Sequence, residues 1–287
     1  MSPASTAGLI HRVTQCNGFM RQLLVLQIHS SCKPMKIPEN ESFVHEANPV
    51  ATLPEAPHAI APWWHTAILI VLLLGISLMG GRQTKKVSLA SHHVSQYLFT
   101  FAWEWILAAL VLWGLWMRRT PLRQILGIRR DGLKGLLRDA RAAFVFWIMA
   151  LIVLTAVGTL LQGLHFSSPQ KSLMDLAPQG GKEILLWVTL SISAGICEEL
   201  LFRGYLLQQF VSMRSKLWVA ALASSLLFGM AHGYEGASGM IAITAFGAMF
   251  CMLAIKQESL RAGMIAHAWH DAFSGIMLAL MKHFHAM

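Results

Sequence analysis

The chain has 287 residues, of which 55% are hydrophobic and only 13% charged, and its mean hydropathy is +0.52. A soluble domain carries roughly a quarter charged residues, so this composition with long apolar runs excludes an ordinary water-soluble enzyme and implies a multi-pass membrane protein. The net charge of +9 does not argue for nucleic acid, because the basic residues gather beside hydrophobic ends, as membrane topology requires.

Residues 1–61 contain Pro34, Pro38, Pro49, Pro54 and Pro57 without a sustained period, and are expected to form a largely disordered tail. Met35, which leads into the polar run KIPENES, is the expected biological start. No secretory signal is expected, since the first long apolar run begins near Trp63 and has no small-residue cleavage site. Hydropathy then predicts seven spans, near 63–81, 97–117, 142–162, 183–201, 217–233, 237–255 and 261–281. Trp63, Trp64, Tyr97, Trp113 and Trp116 fall near their ends, where interfacial aromatics sit.

Between the second and third spans lie Arg118, Arg119, Arg123, Arg129, Arg130, Lys134, Arg138 and Arg141, against only Asp131 and Asp139. This segment should be cytoplasmic, which puts the N-terminus inside and the C-terminus outside. The loop with Arg82, Lys85 and Lys86 then falls outside, against the same rule. The expected architecture is an all-α, polytopic transmembrane helix bundle with a polar cavity among the C-terminal helices. Its expected parts are the tail at 1–61, N-terminal membrane helices with the basic loop at 62–181, and a catalytic core at 182–287. No internal repeat is visible, which weakens an inverted-repeat transporter reading. Cys16, Cys32, Cys197 and Cys251 form no CxxC pair, so neither a zinc–thiolate site nor a disulfide framework is indicated.

The chemistry is concentrated in three polar clusters on apolar segments: Glu198, Glu199 and Arg203, then His232, then His267, His270 and Asp271. A lipid-facing carboxylate is costly, so such groups normally face one another or a wet cavity. On a helix Glu199 and Arg203 are four apart and pair in the favourable acid-first order, whereas Glu198 is turned about 100° away. Glu199 is therefore expected to be neutralised by Arg203, with Glu198 free to face a cavity. The plainer alternative is that the three form a structural ion cluster, and the unpaired acid tilts the balance toward function. His267 and Asp271 are four apart, so the acid can orient the ring; His270 ranks below His267 as the working imidazole. Glu104, between Trp103 and Trp105, has no evident partner type nearby and reads as structural.

EELLFR at 198–203, FGMAH at 228–232 and HAWHD at 267–271 resemble, in order and spacing, the three motifs of the CAAX-protease and bacteriocin-processing (CPBP/Abi) family of intramembrane proteases. ILGIRR at 125–130 resembles the linker before that family's core. The resemblance implies that Glu198 and His232 activate water, that Glu199 and Arg203 support the helix, and that His267 with Asp271 holds the substrate carbonyl or oxyanion. Asp271 stands where several relatives have Asn, and a carboxylate donates no hydrogen bond unless protonated. That departure favours Asp271 orienting His267 or binding a metal. The implied activity is endopeptidase cleavage of membrane-associated or lipidated protein or peptide substrates in the cell membrane, by Glu/His-activated water. Zn is an alternative cofactor, with Glu198, His232 and His267 as its candidate ligands, but HExxH is absent and metal independence is favoured.

Two other readings remain. GASG at 236–239 followed by His267 resembles the serine motif of rhomboid proteases, which would make Ser238 the nucleophile. A non-catalytic transporter or membrane scaffold could also place Glu, His and Arg in its interior.

Overall fold

The computed structural model describes residues 59–83, 93–127, 131–167, 170–213 and 215–285. The tail through residue 58, with Met35, Cys16 and Cys32, and the loop carrying Lys85 and Lys86 lie outside the described residues. At the end of the predicted tail, Ile60 and Ala61 are buried.

Every predicted span corresponds to a helix, and no strand occurs among the described residues. The helices are α1 (Trp63–Gln83), α2 (His93–Met117), α3 (Leu122–Leu126), α4 (Gly132–Gly163), α5 (Gln170–Leu176), α6 (Gly181–Glu199), α7 (Leu207–Ser212), α8 (Leu217–Ala231), α9 (Gly236–Gln257) and α10 (Arg261–His285). A wider π-helical turn, Leu200–Leu206, joins α6 to α7 without a break, and one turn of 3₁₀ helix, Gly233–Glu235, precedes α9.

Four stretches are long and apolar enough to cross a membrane: His93–Met117, Gly132–Gly163, Gly181–Ser212 and Gly233–Gln257. Trp63–Leu78 and Leu217–Ala231 are shorter apolar helices. Crossing by those two and by the more polar α10 is therefore a proposal. The connections fall at two opposite ends of the helices. At one end Leu260 N donates to Leu126 O at 3.0 Å, and Arg261 reaches Asp131 at 3.1 Å. At the other, Ser77 Oγ donates to Met230 O at 2.7 Å and Tyr97 Oη to Leu176 O at 2.6 Å.

Two cations at the basic end are neutralised. Asp131 and Asp139 at the start of α4 hold Arg138 and Arg261, with contacts from 2.7 to 3.1 Å. Desolvation works against ionisation of Asp131, but hydrogen bonds from Arg261 and Arg138 outweigh it and hold this carboxyl below its ordinary range. The network fixes the first turn of α10 against α4, six residues before His267.

The π-helical turn is held from outside its own helix. Ser224 Oγ on α8 donates to Phe202 O at 2.7 Å, and Tyr205 Oη meets His65 Nδ1 at 2.8 Å and Thr66 Oγ1 at 2.9 Å on α1. Just beyond it, the Gln209 side-chain amide pairs with the Ala61 backbone in both directions, at 2.8 and 3.1 Å. All seven residues of the turn are buried. Departures from i→i+4 winding of this kind recur at functional sites, and here the turn carries Arg203.

Helices α6 and α10 approach closely at Gly195, where an added Cβ would stand 2.7 Å from Met264 O and 2.9 Å from Ala268 N. Small residues permit such backbone contact between membrane helices. Gly195→Val should force the pair apart and cost about 1–3 kcal/mol of stability, read as a lowered midpoint of thermal unfolding in detergent; an unchanged midpoint would refute this packing.

Candidate active site

Helices α6 and α10 bring Glu198, Glu199, His267 and Asp271 together, and the end of α8 brings His232 to the edge of the same aromatic cluster. Arg203 and Glu199 are fully buried, and Arg203 Nη1 donates to Glu199 Oε1 at 2.9 Å. Arg203 Nη2 donates to Gly247 O on α9 at 3.1 Å, and the guanidinium lies over the rings of Phe228 and Phe250, at 4.4 and 4.9 Å from their centroids. A cation so deep is tolerable only with such pairing, and the aromatic faces add cation–π attraction.

Glu199 does more than neutralise Arg203. The same Oε1 accepts a hydrogen bond from His267 Nδ1 at 3.1 Å. That bond sets the orientation of the imidazole and points its other nitrogen at two further acids. His267 Nε2 stands 3.7 Å from Glu198 Oε2 and 3.6 Å from Asp271 Oδ2. Its ring is stacked on Phe250 at 5.1 Å between centroids and meets Phe228 edge-on at 5.9 Å. His267 is therefore held at Nδ1 and on its faces, while its Nε2 edge looks toward Glu198 and Asp271.

Glu198 has the freedom that Glu199 lacks. Its side chain is 21% exposed against 0% for Glu199; the Oε2 of each acid lacks a hydrogen-bond partner, but Glu199 Oε1 is held by both Arg203 and His267. The expectation that the two neighbouring acids face different surroundings agrees with this geometry. Asp271 is expected from its spacing to orient His267, yet the shorter contact to the ring comes from Glu199. The Asp271 backbone carbonyl is itself held by Trp187 Nε1 at 2.9 Å, tying α6 to α10 a second time.

His232 sits apart from this knot. At the C-terminus of α8 its Nδ1 donates to Phe228 O at 2.9 Å, which leaves Nε2 unengaged. It makes no hydrogen bond or ion pair with Glu198 or His267. What joins them is Phe228, whose ring touches His232 at 5.0 Å on one side and His267 on another. Straight spans would place His232 and His267 at opposite depths. The short α8 and the shared phenylalanine bring both to the same aromatic partner. His270 lies against Phe246 at 4.7 Å, away from the Glu198 edge.

The sequence around Glu104 offers it no evident partner, and the structure supplies one. It is buried on α2 and accepts a hydrogen bond from Ser193 Oγ of α6 at 2.7 Å, within electrostatic reach of Glu198, His267 and Asp271. Its neighbour in space is a serine on a distant segment, which no local pattern announces. Trp187 and Phe250 escaped the sequence reading for a similar reason, because aromatics in apolar helices look like lipid-facing residues.

Two other expectations meet the geometry differently. Cavities of about 60 and 220 Å³ lie between α4 and α9 and between α4 and α10, and neither is lined by Glu198, His232, His267 or Asp271. The expected polar cavity is thus not reproduced by these two. Among the described residues, no group of three or more His, Cys, Asp and Glu is arranged to hold a metal ion. The Glu199 bond leaves His267 Nε2 able to ligate a metal, but His232 pairs with neither Glu198 nor His267, so the three candidate zinc ligands do not converge. Ser238, the rival nucleophile, donates to Ser167 O at 2.5 Å and makes no contact with His267.

Fold and site together define an all-helical membrane protein with an acid–imidazole centre enclosed among its C-terminal helices. Residues 180–273 match the family described as type II CAAX prenyl endopeptidase, Rce1-like. The match covers roughly a third of the chain, runs from the start of α6 into α10, and contains all three motifs. It agrees with the family resemblance drawn from those motifs, and the family is one of peptidases. No curated protein and no solved structure matches the chain.

Proposed function

We propose that the protein is an intramembrane endopeptidase of the CAAX-protease/Abi type, multi-pass in the cell membrane, that cleaves membrane-associated or lipidated protein or peptide substrates with activated water. The observation that carries this reading is the unpartnered Glu198 Oε2, 3.7 Å from an imidazole held rigidly by a second carboxylate.

Hydrolysis needs a base for the water, a donor for the developing oxyanion, and a proton for the leaving amine. Glu198 is the base: it takes a proton from water as the oxygen attacks the scissile carbonyl, and returns it to the amine nitrogen as the carbon–nitrogen bond breaks. His232, with Nδ1 held by the Phe228 carbonyl, offers Nε2 as an acceptor that positions the water. His267, whose Nδ1 proton is held by Glu199, presents Nε2 to the carbonyl oxygen and can donate to it when protonated. Asp271 flanks that nitrogen and favours its positive charge. Glu199 and Arg203 hold His267 without touching substrate.

The experiment that separates this mechanism from the rhomboid-like one compares Ser238→Ala with Glu198→Ala in cells, by quantifying terminal fragments of membrane proteins. Cleavage should persist near wild-type level in the serine variant and vanish in the glutamate variant. Loss in Ser238→Ala alone would overturn the assignment.

A further inference from the structure

From the cleft between α4 and α10 we infer a binding site for one anionic phospholipid, distinct from the candidate active site. The cleft is a cavity of about 220 Å³ lined by Ala140, Ala143 and Phe144 of α4 and Ile265, Ala266 and Trp269 of α10. Its walls carry no polar side chain except the Trp269 indole. Phe144 is 59% exposed and Trp269 53% exposed, so the cleft opens to the outside of the bundle.

Charge selects the occupant. The basic end of α4 holds three cations, and they are not equivalent. Arg138 is consumed by Asp131 and Asp139, as is Arg261 across the cleft. Lys134 and Arg141 are exposed and have no ion pair or hydrogen bond among the described residues. At 100° per residue, both project to the same flank of the helix face that carries Ala140 and Phe144. The apolar face itself continues toward the basic end through Leu133, Leu136 and Leu137, all exposed. An apolar slot with one unneutralised cation at its own level on α4 and a second nearer the basic end suits a ligand with a hydrocarbon tail and an anionic head. Basic pockets between membrane helices bind anionic headgroups in this way.

A zwitterionic lipid would bring its cationic group toward Lys134 and Arg141, where no carboxylate is free to receive it.

The test reconstitutes the full chain in phosphatidylcholine vesicles containing a minor fraction of lipid brominated on its acyl chains. The contribution of Trp269 to fluorescence quenching is the difference between wild type and Trp269→Phe. Brominated phosphatidylglycerol should quench it at on the order of tenfold lower mole fraction than brominated phosphatidylcholine, from the attraction of two cations. The double variant Lys134→Gln/Arg141→Gln, which breaks no internal contact, should abolish the preference, and Ala143→Phe should block quenching by both lipids. Equal quenching by the two lipids in wild type would show bulk lipid only and overturn the site. So would a preference untouched by removing both cations, or a Trp269 shielded from both lipids by a second copy of the chain.

Discussion

Glu198→Gln inserts normally, folds to the same helical bundle and loses cleavage by about 10²–10⁴-fold, the range associated with removal of a general base. The substitution keeps size and polarity. Because Glu198 Oε2 has no hydrogen-bond partner in the fold, little stability rests on its charge. Glu199 offers no substitute, since its Oε1 is shared between Arg203 and His267 and it is fully buried. His232→Ala and His267→Ala should be inactive as well. The check is fragment-resolved proteomics of membranes carrying equal amounts of each variant. Unchanged fragments with Glu198→Gln would refute the mechanism outright.

The second large effect is on stability. Arg203→Leu leaves the buried Glu199 with only the His267 hydrogen bond, and Glu199→Leu leaves Arg203 without a counter-ion. Breaking a buried pair from one side costs roughly 3–5 kcal/mol, whereas replacing both partners with apolar groups is often close to neutral. The two single variants should therefore unfold early in a thermal scan or fail to accumulate, and Glu199→Leu/Arg203→Leu should recover most of the loss. Recovery of the fold should not restore cleavage, because His267 Nδ1 then has no acceptor and its ring is free to turn. A double variant as unstable as the singles would show that the pair does not act as a unit. A double variant with restored cleavage would show that Glu199 does not position His267.

Much of this was legible from the amino acids. The apolar runs place all the long helices, and the spacing of Glu199 and Arg203 predicts the 2.9 Å pair that the structure contains. The different surroundings of Glu198 and Glu199 follow from the helical angle between them. What could not be read is what depends on contacts between distant segments. The π-helical turn at Leu200–Leu206 is stabilised by Ser224, His65 and Thr66 from other helices, and a single glycine, Gly204, does not by itself distinguish it from ordinary helix. The link between His267 and Glu199 spans 68 positions, and that between Glu104 and Ser193 spans 89. Asp271 was expected to orient the imidazole because it is near in sequence. Tertiary packing gave the closer contact to Glu199 instead.

The pairing of Glu199 with Arg203 also bears on how the chain enters the bilayer during synthesis. Both charges belong to one continuous helical stretch, so they cancel as soon as that stretch winds, before the ribosome has made Gly247 or His267. A lone acid or base in the same place would have to wait in water for helices not yet translated, at the cost that isolated intramembrane charges incur. The pair lowers the cost of early partitioning, with Glu198 the carboxylate still to be housed, and the later helices then close around a charge pair already formed.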